Sequence, residues 1–230
     1  MKVTNRSVTL IVAVALVAGA VLGNVAQAKP KPVVVGTDAD NDWGTNVDPT
    51  IAPAGDLLGQ ELISGSISKK DASTLDFIIT VKSLPAIGGI PEFTRYVWTM
   101  LVDGELIQLD GKWTNYSRGT CDPTAGTCPP PRDPGSAPFM VRGSCTDNGG
   151  AAVTCLEIGL VNATFDVAAG TITIPVPLEL LGAKTGSKIT NGIQAGSNFS
   201  GIWAISSAWA SQGNMPLDEL ILTKTYTIPR

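Results

Sequence analysis

Apolar and polar residues alternate along most of the chain, and that alternation sets the expected architecture. In "STLDFIITVKSL" (73–84), Leu75, Phe77, Ile79 and Val81 point one way while Asp76, Thr80 and Lys82 point the other. A period of two is the signature of a half-buried strand. "TRYVWTMLVDGELIQLDGKW" (94–113) divides into two such runs about Asp103-Gly104, a pair suited to a two-residue hairpin turn. "QELISGSIS" (60–68) sets Leu62, Ser64, Ser66 and Ser68 on one side against Ile63, Gly65 and Ile67 on the other. "FMVRGSC" and "VTCLEIGLV" give two more strands. "ATFDVAAGTITIPVPL" gives a hairpin turning at Ala169-Gly170, with Ile172, Ile174 and Val176 inward. Pro175 and Pro177 place its second arm at a sheet edge, because proline offers the ladder no N–H. "PLELLGAKTGS" fits one short helical turn ended by Gly182. "FSGIWAISSAW" and "ELILTKTYTIP" close the series, with Leu222, Tyr226 and Ile228 on one face and Lys224 among them. About 9–11 short strands with turn signals throughout predict an all-β, antiparallel sandwich of jelly-roll type.

The chain begins differently. A basic start (Lys2, Arg6), an apolar stretch from Val8 to Leu22 and the small-residue site Ala26-Gln27-Ala28 make residues 1–28 a secretory signal peptide. The apolar run is shorter than the ~20 residues a membrane span requires. Residues 29–55 form an acidic leader and 56–230 the domain, with a cysteine- and proline-rich loop region at 116–155. Pro129, Pro130 and Pro131 exclude regular structure there. Loss of Lys2 and Arg6 with the signal takes the formal charge from −4 to −6. A mildly acidic exported protein is not expected to bind nucleic acid, and the mature chain is expected to have no membrane span.

The chain has no histidine, which removes Ser-His-Asp and Cys-His catalysis and histidine-ligated zinc or copper. Cys121, Cys128, Cys145 and Cys155 read as disulfides in an oxidising compartment. Of the three possible pairings, turn residues favour the two local ones, Cys121–Cys128 around "CDPTAGTC" and Cys145–Cys155 around "CTDNGGAAVTC".

Three groups of residues could carry chemistry. In "GTDADNDWGTNVDP" (36–49), Asp38, Asp40, Asp42, Asn46 and Asp48 supply the oxygen ligands that calcium prefers. The loop departs from an EF-hand, because its glycine falls one place late and Pro49 stands where a bidentate acid belongs. An irregular site completed by Asp56 or Asp218 and a merely solvated leader are the two alternatives. Next, "DGKWTNYSRG" brings Asp110, Trp113, Tyr116 and Arg118 beside the proline-rich loop, with Arg132 and Arg142 near in sequence. Aromatic faces with fixed polar groups are what sugar recognition needs. The competing assignment puts Trp113 in the core and has Arg118 tie down the loop through Asp122 or Asp133. Trp98, Trp203 and Trp209 lie in apolar strand contexts and are assigned to the core. Finally, Glu92, Asp103, Glu105 and Asp110 could pair as glycosidase acids, although Asp103 and Asp110-Gly111 read as turns.

Two blocks, "GGIPEFTRYVWTMLVDGELIQLDGKWTNYSRGTCDPTAGTCPPPRDPGSAPFMVRGSC" and "AAGTITIPVPLELLGAKTGSKI", resemble a group of secreted bacterial proteins of uncharacterised function. "GDLLGQELISGSISKKDASTLDFIITVKSLP" resembles the opening of their domain. The strand order is similar to DOMON-like and family 9 carbohydrate-binding jelly rolls, whose members bind sugars, haem or calcium. A DOMON haem site commonly uses Met and His. Here only Met100, Met140 and Met215 could serve. The resemblance and the residues together point to an exported, non-catalytic module for carbohydrate or glycan, with calcium as its candidate ion. The alternative is a structural or protein-contact module of the cell envelope.

Overall fold

The alternating runs become strands in the computed structural model, which describes residues 30–38, 61–84, 94–113, 136–147, 153–191, 201–206 and 218–230. Twelve strands occur among these residues: β1 (Val33–Thr37), β2 (Leu62–Lys69), β3 (Thr74–Val81), β4 (Thr94–Val102), β5 (Glu105–Trp113), β6 (Ser136–Asp147), β7 (Val153–Asp166), β8 (Thr171–Pro177), β9 (Lys188–Asn191), β10 (Gly201–Ser206), β11 (Asp218–Leu220) and β12 (Tyr226–Thr227). The only helix among them is a 3-10 turn at Leu178–Leu181, ended by Gly182 in the left-handed region as expected. No helix in the described residues is long and apolar enough to cross a membrane.

All pairings are antiparallel, and they join the strands into one sheet in the order β1-β2-β3-β8-β7-β6-β5-β4-β10-β11. β9 lies end to end with β10 along the same edge of β4 and carries β12. The sheet curls until its ends nearly meet, giving a barrel-like shell. Near the seam the Asp218 carboxylate accepts the Leu62 N–H, and the Val35 carbonyl accepts N–H groups from Thr223 and Lys224 at 2.8 and 3.0 Å. Curling removes most of the edge that an open sheet would expose.

Inside lie Leu75, Phe77, Ile79 and Val81 of β3, Tyr96, Trp98 and Met100 of β4, and Ile172, Ile174 and Val176 of β8. The Phe77 and Trp98 rings meet edge to face at 5.2 Å. Burial of one such side chain stabilises by about 1.5–3 kcal/mol, so the inward row of each strand fixes its register.

Several local expectations hold. Asp103 and Gly104 both have positive φ, at 50° and 95°, as a type I′ turn requires. The Asp103 carboxylate also accepts the Lys188 N–H at 2.8 Å. Pro177 and Pro175 pair with β3, whereas the pairing of β8 with β7 ends at Thr173. The prolines thus sit where β8 has become an edge on that side. The Cys145–Cys155 bridge ties β6 to β7; Cys121 and Cys128 lie outside the described residues, as does the signal segment.

Other expectations are corrected. Val33–Thr37, assigned to the leader, is an edge strand paired with β2. A register shift between Leu62 and Ser64 turns Leu62 inward with Gly65 and Ile67, so the single alternation expected for β2 is broken by a bulge. Lys224 does not join Leu222, Tyr226 and Ile228. It is exposed while they are buried, because the chain leaves the ladder between β11 and β12. Asp110-Gly111 is not a turn. It lies inside β5, between Val97 and Tyr96 of β4 and Met140 and Phe139 of β6.

Candidate functional site

The outer face of β4, β5 and β6 carries a polar cluster that the strand registers assemble. Cross-strand pairing makes one row of Trp203, Val97, Asp110, Met140 and Leu160, and a second of Thr99, Gln108, Arg142 and Glu157. Arg95 stands two residues from Val97 and therefore on the same face. Both Arg95 and Arg142 reach Asp110 diagonally from the flanking strands, a distance long side chains span.

Arg95 donates through Nε and Nη2 to the two Asp110 oxygens, at 2.7 and 2.6 Å. Arg142 Nη1 lies 2.8 Å from Asp110 Oδ2. It also donates to Gln108 Oε1 at 3.4 Å, while Gln108 Nε2 donates to Thr99 Oγ1 at 3.4 Å. The Asp110 side chain is 7% exposed, the two arginines 27% and 26%. Two parallel N–H···O bonds from one guanidinium are the strong, directional form of this contact. The hydrogen bond to Asp110 raises the Arg95 pKa above its ordinary value against the opposing effect of burial, so Arg95 is a permanent cation.

Around this cluster the surface is mixed. Met140 is half-buried and Leu160 is 65% exposed. Trp203 is buried against Val97 on this outer side, so it is enclosed as expected but outside the main core. Trp98 is in the core; Trp209 is outside the described residues.

Of the expected ligand residues, Asp110 is at the centre of this cluster. Trp113 ends β5, opposite Thr94. Tyr116, Arg118 and Arg132 lie outside the described residues. Arg95, Gln108 and Thr99 were not singled out from the sequence. Asp103 and Glu105 do not join Asp110 as a catalytic pair. Asp103 is held by backbone at the hairpin tip, and Glu105 lies five strand residues from Asp110, roughly 16 Å along the rise, well beyond glycosidase separations. Glu92 lies outside the described residues. Asp110 already accepts from two arginines, which leaves it poorly placed as a general base.

For the acidic segment, Asp38 is described, its N–H donated to the Ile63 carbonyl at 3.1 Å; Asp40, Asp42, Asn46, Asp48 and Asp56 are not. Asp218, considered as a distant calcium ligand, accepts backbone N–H groups from Leu62 and Glu219. Among the described residues no group of three acids, cysteines or histidines is arranged to hold a metal. Met100 points into the core and Met140 outward, so these two cannot face one haem iron; Met215 is outside the described residues.

No family profile, curated protein or solved structure matches the chain.

Proposed function

We propose that the protein is an exported, non-catalytic binding module whose ligand is a carbohydrate held on the outer face of β4–β6. The observation that supports this reading is Asp110, fixed between Arg95 and Arg142 beside Met140 and Leu160. A pyranose needs donors and acceptors in fixed directions for its hydroxyls and apolar contact for its C–H face. Tyr116, Arg118 and Arg132 would add contacts from the residues between β5 and β6. The finer architecture in this reading is a flattened, jelly-roll-like barrel. Calcium would sit in the acidic segment that continues from Asp38. A glycan array screened with and without calcium tests the proposal. Binding should appear and should weaken in Arg142→Gln. An array with no glycan retained refutes the sugar reading, and an unchanged melting temperature on calcium addition removes the ion.

A second reading, a protein-contact module of the envelope, is favoured by Leu156, Ile158 and Leu160, which are 64%, 41% and 65% exposed along β7. The register shift beside Arg142 puts Leu156 and Leu160 on opposite faces, so the strand offers exposed apolar contact on both sides. A blank array, together with self-association lost in Leu156→Ser/Leu160→Ser, would support it.

A further inference from the structure

We infer that the ligand of the β4–β6 face is an acidic sugar, taken through its carboxylate by Arg95 and Arg142. This rests on the carbohydrate reading and narrows it. Two guanidiniums surround a single buried carboxylate, so the cluster carries one surplus positive charge. Among the described residues Glu157 is the acid nearest to balancing it, but its Oε1 lies 4.0 Å from Arg142 Nη2 and its side chain is 64% exposed. That separation is beyond hydrogen-bond range, and an exposed pair of this kind contributes little.

The guanidiniums also retain donors. Arg95 spends Nε and one terminal nitrogen on Asp110, leaving Nη1 outside the fork. Arg142 spends Nη1 on Asp110 and Gln108 and offers Nη2 toward Glu157. About a quarter of each side chain remains open to solvent. Asp110 holds both groups in place before any ligand arrives, which lowers the ordering cost of binding. A neutral sugar could accept these hydrogen bonds but would leave the surplus charge unanswered. A planar carboxylate answers both, because its two oxygens match the guanidinium edge. Met140 and Leu160, next in the same row, supply the apolar surface for the ring.

The test is isothermal titration of the protein, at low salt, with carboxylate-bearing oligosaccharides (oligogalacturonate, oligomannuronate and glucuronate-containing chains) and with their carboxyl-reduced neutral counterparts. The acidic form of the bound sugar should be preferred by about tenfold, the scale of one charge-assisted hydrogen bond. That preference should shrink as salt rises. Glu157→Gln, an exposed substitution, should tighten acidic-sugar binding by about two- to fivefold, because it removes the competing acid. Equal affinity for acidic and neutral forms overturns this inference and leaves the carbohydrate reading standing. Failure of both forms to bind removes the carbohydrate reading and this inference with it. Acidic preference with no gain in Glu157→Gln overturns the assignment of Arg142 as a ligand-binding group.

Discussion

Replacing Gly111 with alanine puts a methyl group where the Phe139 ring already lies. An ideal Cβ at Gly111 would stand 2.2 Å from Cδ2 and 2.4 Å from both Cε2 and Cγ of that ring, against about 3.5–4.0 Å for an ordinary carbon contact. Phe139 is fully buried, directly opposite Gly111 in the β5–β6 ladder and 6.4 Å from the Phe165 ring. It has no solvent side to swing toward. Overpacking of this kind costs about 1–3 kcal/mol, of which alanine recovers about 0.5–1 kcal/mol through the backbone entropy that glycine loses in a strand. The net loss is therefore about 0–2.5 kcal/mol, or up to roughly 10 °C in melting temperature for a chain of this size. Phe139→Ala alone should cost about 3–5 kcal/mol. In that background Gly111→Ala should cost nothing or stabilise slightly, giving a coupling of about 1–3 kcal/mol in a double-mutant cycle read by urea denaturation. If Gly111→Ala costs the same with and without the ring, the ring is not the reason for the glycine.

Three further perturbations test the polar and covalent ties. Asp110→Asn leaves two guanidiniums around a neutral amide. A buried pair broken this way costs about 3–5 kcal/mol, reduced here to about 2 kcal/mol because both arginines keep some solvent, and a thermal melt indistinguishable from that of the unmodified protein would show that the cluster is no clamp. Asp103 has its pKa lowered, first by the Ser187 hydroxyl and then by the Lys188 N–H. Its contribution is present above the ordinary carboxylate pKa and lost as pH falls through the lowered folded value. Asp103→Asn keeps the turn-forming residue type, so it should melt lower at neutral pH and equally in strong acid; a pH-independent difference contradicts the assignment. Cys145 and Cys155, ten residues apart, restrain the unfolded chain by about 2.5–3 kcal/mol. Cys145→Ser/Cys155→Ser should lower the urea midpoint accordingly, and an unchanged midpoint would mean the β6–β7 ladder alone holds that hairpin.

The strands most legible in the sequence are those with one wet face and one dry face. β3 and β8 alternate without interruption, and the turn chemistry at Asp103-Gly104 and Ala169-Gly170 marks where they and their neighbours reverse. The start of β2 is not legible because a bulge moves Leu62 to the other face, and nothing in a period of two announces the extra residue. β1 is not legible as a strand because three valines beside an acidic stretch carry no alternation. Its pairing depends on β2 and on a seam more than 180 residues away, where Thr223 reaches Val35.

Asp110 and Arg142 stand out in the sequence, and Arg95 is legible beside them. A two-residue turn at Asp103-Gly104 fixes the hairpin register by counting outward: Val102 faces Glu105, Thr99 faces Gln108, Val97 faces Asp110 and Arg95 faces Lys112. Arg95 then falls on the diagonal from Asp110, on the same face, without any further information. What hid it was Asp-Gly at 110–111, which carries the same turn signal as 103–104. Both pairs are locally acceptable as turns, and only one can be, because the residues from Glu105 to Trp113 form one uninterrupted strand. The deciding fact is tertiary: Phe139 of the next strand covers the space above Gly111, so that glycine serves packing instead of chain reversal. Arg142 could not have been placed by counting at all. The residues between β5 and β6 are too many for a two-residue turn to fix that register. A buried aspartate between two arginines therefore emerges from three strands whose relative positions are set mostly by their inward apolar rows. The charged contacts on the outer face are selected by that packing and do not direct it, which predicts that neutralising the cluster will lower stability without altering the order of strands.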